Sequence, residues 1–142
     1  YETFQKSLFA LHALSIKVIV HLILGLPHET REMMSASVQA IANLPVWGIK
    51  LQLLHVLSGT DLAAYYEKTH FPVFSMDEYC EMIIDCLELL PPEMVIHRIT
   101  GDGPKDLLIA PMWSTGKRTV LNQIHRRLKE RNTYQGRLAT KR

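Results

Sequence analysis

The chain has 142 residues, of which 47% are hydrophobic and 21% charged, with a net charge of +2. That balance fits one soluble globular domain with a single core and argues against disorder. Two cysteines, Cys80 and Cys86, exclude a disulfide scaffold and a four-thiolate metal site.

In chain order, Phe4, Leu8, Leu11 and Leu14 recur at helical spacing and predict a helix over 2–14. Residues 17–26 are dense in Val, Ile and Leu and read as a strand buried on both faces. Thr30 caps a helix over 31–43 with Glu32 in its first turn. Residues 48–57 read as a second buried strand, closed by Ser58-Gly59-Thr60. Two apolar strands joined by a crossover helix imply a parallel, right-handed unit. A short helix is expected over 61–69. Ser75-Met76-Asp77-Glu78 is a capping box. It opens a helix carrying Tyr79, Met82, Ile83, Cys86, Leu87 and Leu90 on one face, which Pro91-Pro92 stops. A strand over 95–100, a turn at 101–104, a short strand over 107–110 and a helix over 116–131 follow. The last eleven residues read as loose.

The charge is split along the chain. Residues 1–114 carry a net of −6 and residues 115–142 a net of +8. A basic end on an acidic body points to a phosphate-bearing or acidic partner, or to a solvated helix with a frayed end. No run of about 18 apolar residues is present, so no membrane span is expected, and the cysteine usage fits a reducing, cytoplasmic compartment. A first residue, Tyr1, that lies inside an amphipathic pattern suggests a fragment.

Candidate chemistry gathers beyond the carboxyl ends of parallel strands. Those ends are Gly25-Leu26-Pro27-His28-Glu29-Thr30 and His55-Val56-Leu57-Ser58-Gly59-Thr60. Each is readable as a ligand-approaching turn or as an ordinary strand-to-helix join. His21 sits mid-strand, as a satisfied core histidine or as a residue lining a barrel cavity. His97-Arg98-Ile99-Thr100-Gly101-Asp102-Gly103 suits anion or ribose recognition, or an Arg98–Asp102 pair that steadies a turn. No histidine pair, nucleophile elbow or P-loop appears, so a metal site, a small hydrolase and a nucleotide-binding protein are disfavoured.

The segment from His21 to Thr30 resembles the turn after the fifth barrel strand of radical SAM proteins, and Gly48–Thr60 resembles their sixth strand. Leu90–Gly103, Ala110-Pro111-Met112-Trp113 and Tyr134-Gln135-Gly136 are similar to the C-terminal part of a bacterial radical SAM family related to the elongator-type enzymes. The resemblance implies an α/β fold, the C-terminal part of a partial (β/α)6 barrel over 1–60. An α+β extension over 61–131 and a basic flexible tail over 132–142 follow. It implies that the full-length protein holds a [4Fe–4S] cluster and S-adenosylmethionine, which is cleaved reductively to a 5′-deoxyadenosyl radical acting on a substrate such as RNA. Ile23, Gly25, Leu26, His55, Val56 and Leu57 would lie on the cofactor side, and His21, Arg98 and Asp102 on the substrate side. The cluster loop is absent here, so this chain alone is expected to be inactive, with no metal ligand and no bound cofactor. Its expected partners are the missing N-terminal half of the barrel, an RNA or other phosphate-bearing molecule at 115–142, and a second copy through an exposed strand edge. The competing reading is a non-enzymatic interaction module using that edge. His28 stands where the family usually has Gly, and Gln52 where it usually has His.

Overall fold

The computed structural model describes residues 1–101 and 103–140. Asp102, Lys141 and Arg142 lie outside the described residues. The elements are α1 (Glu2–Ala13), β1 (Ile19–Leu24), α2 (Arg31–Ala42), β2 (Gly48–Leu53), β3 (Val56–Leu57), α3 (Asp61–Thr69), α4 (Met76–Leu89), β4 (Val95–Arg98), β5 (Leu108–Ala110) and α5 (Lys117–Glu130). A 3₁₀ turn, Met112–Thr115, precedes α5 and was not expected from the sequence.

The helix starts follow their capping residues. Thr30 accepts from Met33 N–H at the start of α2, and Thr60 accepts from Ala63 N–H at the start of α3. At α4 the full capping box forms: Ser75 Oγ accepts from Glu78 N–H, and Glu78 Oε2 accepts from Ser75 N–H at 2.9 Å. The Ser75 hydroxyl also donates to Glu78, and these bonds hold its carboxyl below the usual range.

β1, β2 and β4 form a parallel sheet in the order β1-β2-β4. Val20, Leu22 and Leu24 of β1 align with Ile49, Leu51 and Leu53 of β2. This face carries the core, with Leu24, Ile49 and Leu51 fully buried. α4 packs between α2 and α5 and buries Tyr79, Cys80, Met82, Ile83, Ile84, Cys86, Leu87 and Glu88. Each large apolar side chain buried there contributes roughly 1.5–3 kcal/mol.

The expectation that the first strand is buried on both faces is wrong. Its other face carries His21 and Ile23, both exposed, because among the described residues the helices cover the sheet on one side only. The expected 48–57 strand is also divided. β2 ends at Leu53, Leu54 N–H donates to Leu24 C=O, and β3 turns away to pair antiparallel with β5. Leu54, Val56, Ala63, Phe71 and Ala110 make a second, smaller core around that pair.

Residues 133–138 are not loose as expected. Gln135 Nε2 donates to Pro91 C=O at 2.7 Å and Met94 C=O at 2.8 Å. Gly136 N–H donates to Leu87 C=O, and Leu138 N–H to Glu88 C=O. The segment clamps the join between α4 and β4.

The charge split is answered inside the fold. Asp77, Glu81, Asp85 and Glu88 form a stripe on α4. Arg127 pairs with Asp77 at 2.7 Å and Glu81 at 2.6 Å. Arg131 pairs with Glu81, Asp85 and Glu88. The nearly buried Glu88 also meets Arg137 at 3.5 Å and accepts from the Thr133 hydroxyl. Arg31 of α2 holds Asp85 from the other side. Replacing Glu88 by Ala is expected to lower stability by about 1–3 kcal/mol in denaturant melts, because three donors lose their acceptor together. Replacing Arg126, whose pair with Glu130 is exposed, should change it by less than about 0.5 kcal/mol.

Candidate functional site

The turn after β1 is built by its own residues. Gly25 takes φ +85°, and a Cβ there would come within 2.9 Å of the Phe74 ring, so glycine is required. Glu29 folds back and accepts from Gly25 N–H at 3.0 Å and Leu26 N–H at 3.1 Å. His28 lies at φ +66°, a left-handed conformation, and its Nε2 is 2.9 Å from Tyr65 Oη of α3. The turn therefore keeps the backbone shape that glycine provides, with a side chain that ties α3 to it.

Two concavities flank this turn. The larger, about 660 Å³, lies between the β1–α2 turn, α3 and residues 70–74, and includes His28, Tyr65, Phe71 and Phe74. The smaller, about 210 Å³, lies at the carboxyl ends of β1 and β2 and is lined by Ile23, Gln52, Leu53, Leu54, His55 and Gly101. It is below the usual size of a complete small-molecule site and suits one ring system of a larger ligand. Its position, rather than its size, matches the chemistry expected of parallel strand ends.

His55 is the pivot of that recess. Its Nε2 is buried, and the turn from β4 closes over its ring. A Cβ at Gly101 would overlap the imidazole, and one at Gly103 would lie 2.7 Å from Nδ1. Two sequence groups that are about 46 residues apart thus meet: the end of β2 and the His97–Gly103 segment. Tyr79 fixes the approach by donating from Oη to Ile99 C=O at 3.2 Å. Trp113 in turn donates from Nε1 to Phe74 C=O at 2.8 Å, fastening the segment behind Gly25.

Ile23 is 43% exposed beside this recess, while Leu26 is exposed in the larger-cleft turn. Val56 is fully buried in the second core, so its side chain belongs to packing, and Leu57 is half-buried next to it. His21 and Arg98 lie on the uncovered face of the sheet. By register, His21 aligns with Lys50, and Lys50 with Arg98. Asp102 falls outside the described residues. Lys50 and the glycines over His55 escape the sequence reading. Period-2 counting across two parallel strands would have found Lys50, whereas the glycines' role depends on a long-range contact.

The residues present do not suit an iron–sulfur cluster. Cys80 and Cys86 are buried in α4. Burial pushes the Cys86 thiol up to about 12 and the Cys80 thiol in the same direction, away from the thiolate that a cluster needs. Among the described residues, no group of three His, Cys, Asp or Glu side chains could hold a metal ion. No helix among them is long and apolar enough to cross a membrane.

Substitution of His28 tests the turn. His28→Gly relieves a left-handed strain of about 1 kcal/mol and loses one hydrogen bond of similar worth, so stability should change by less than about 1 kcal/mol. His28→Val keeps neither advantage and should cost about 2 kcal/mol in chemical denaturation.

Comparison with known proteins places this geometry. Residues 46–130 match the Radical_SAM C-terminal domain family. The chain is 50% identical over 121 residues to the uncharacterized protein YtqA of Bacillus subtilis, covering 85% of this chain and 38% of that protein. It is 32% identical over 132 residues to the uncharacterized protein MJ0486 of Methanocaldococcus jannaschii, covering 92% of this chain and 41% of that one. It thus spans about two fifths of the length of these relatives. Its fold matches part of the archaeal Methanocaldococcus infernus Elp3 with TM-score 0.77, at 18% identity, over 94% of this chain and 32% of that chain. With its parallel strands, crossover helix and matched residues 46–130, the chain belongs to the radical SAM C-terminal domain family.

Proposed function

We propose that this chain forms the adenine- and substrate-side wall of a radical SAM barrel whose other elements carry the iron–sulfur cluster. The observation that carries this reading is the recess at the ends of β1 and β2, where Ile23, Gln52, His55 and Gly101 converge. In the whole protein, the cluster and S-adenosylmethionine would supply a 5′-deoxyadenosyl radical by reductive cleavage. This chain's residues would bind and orient. Ile23 and the backbone of Leu54 and His55 offer apolar and peptide surface to an adenine ring. Gly25 shapes the neighbouring turn with its N–H held by Glu29, Val56 and Leu57 brace that surface from behind, and His55 is held still by the glycine turn.

Two features support completion by a preceding part of the barrel. Among the described residues the outer edge of β1 pairs with no strand. Beside it an apolar groove of about 540 Å³ runs between α1, β1 and α2, lined by Phe4, Val20, Leu22 and Ile41. An unpaired edge next to uncovered apolar surface is a surface made to receive a strand and helix.

The full-length protein, reconstituted anaerobically with iron and sulfide and then reduced, is expected to form 5′-deoxyadenosine from S-adenosylmethionine. Gly101→Ala, which drives a methyl into the His55 ring, should raise the S-adenosylmethionine KM about fivefold or more. Absence of 5′-deoxyadenosine from a cluster-loaded protein contradicts the reading.

For the substrate we put forward RNA, on the exposed cations of α5 such as Arg118 and Lys129. Arg127, Arg131 and Arg137 are already engaged by α4 and drop out of that count. Binding of tRNA to the full-length protein should therefore weaken with salt with a contribution from this segment no steeper than about −5 in log K against log salt. No binding at low salt rejects RNA.

A further inference from the structure

We propose that His21, Lys50 and Arg98, side by side across the uncovered face of the sheet, form a subsite for an anionic group of the substrate, a carboxylate or a phosphate. It deepens the barrel reading, since this face is then the inner wall. Three adjacent strands place three basic side chains at one level: His21 pairs in register with Lys50, and Lys50 with Arg98. The irregularity at Ile49/Lys50 makes His97 and Arg98 together oppose Lys50, adding a further imidazole whose ring packs on Trp47 at 5.2 Å.

Folding does not favour this row. Lys50 and Arg98, like charges opposite one another on neighbouring strands about 4.8 Å apart, repel. Several cations elsewhere are matched: Arg31, Arg127, Arg131 and Arg137 each face a carboxylate of α4. Arg98 makes an interaction of its own, so the subsite turns on Lys50, the centre of the row. Among the described residues no carboxylate pairs with Lys50.

Depth along the strands fits a substrate role. The row lies two residues below Ile23 and Gln52, about 7 Å further into the sheet from the recess at the strand ends. A ligand ring seated in the recess and an anion held at Lys50 are thus separate positions on one wall.

The test is binding of inorganic phosphate and of acetate to the full-length protein, at constant ionic strength, for wild type, Lys50→Met, Lys50→Arg and Lys68→Met. Each variant is melted first to confirm that it is folded. Saturable binding of one or both anions is expected; phosphate alone marks a phosphate subsite and acetate alone a carboxylate subsite. Lys50→Met should weaken it about tenfold, Lys50→Arg should hold within about threefold, and Lys68→Met on α3 should match wild type. No saturable binding of either anion, or equal binding by wild type and a folded Lys50→Met, overturns the proposal. These outcomes are independent of 5′-deoxyadenosine formation, so loss of the barrel reading and loss of the subsite are told apart.

Discussion

α4 lies against one face of a three-stranded parallel sheet, and the rest of the structure depends on that contact. Its apolar side buries Tyr79, Met82, Ile83 and Cys86 over β1 and β2. Once the helices pack on the face that buries Leu24, Ile49, Leu51 and Leu53, the residues between them in sequence must point the other way. His21, Ile23, Lys50 and Gln52 are thereby gathered on a face that no helix among the described residues covers. A polar, partly cationic surface opposite a dense apolar one is what a strand in a barrel wall needs, since one side meets helices and the other meets ligand.

The same helix settles the charge asymmetry. The basic C-terminal segment reads, by composition, as an arm seeking an external partner. In the fold, Arg127, Arg131 and Arg137 sit on the acidic stripe of α4, with Glu88 nearly buried beneath them. The Gln135–Gly136 clamp then closes over the end of α4. Part of the −6 and +8 split is an internal complementarity, in which Arg127, Arg131 and Arg137 dock α5 and the segment after it onto the core.

Local signals made most of the fold legible. Thr30 and the Ser75–Glu78 box mark helix starts that the structure places at the same residues, whereas Thr60, read only as the close of a strand, caps the helix over 61–69. Apolar runs gave β1 and β2 their positions, because such a run is visible without its neighbours. Their exposure was not legible: a continuous Val–Ile–Leu run looks the same whether one face or both are covered. The break at Leu54–His55 escaped for a related reason, since β3 leaves the sheet to pair with β5 more than fifty residues later. His55 was readable as a strand-end residue, but its enclosure by Gly101 and Gly103 rests on a contact between distant segments. Tyr134-Gln135-Gly136, readable only as a family signature, is a structural clamp.

The proposed working surface therefore lies at the strand ends and on the open sheet face, rather than in the larger cleft beside His28 and Tyr65. Hydrogen–deuterium exchange of the full-length protein, with and without S-adenosylmethionine, tests this choice most directly. Slower exchange on binding is expected at residues 23–25, at 53–56 and at Gly101, with α5 unchanged. Protection confined to residues 65–74, with none at the strand ends, would contradict it.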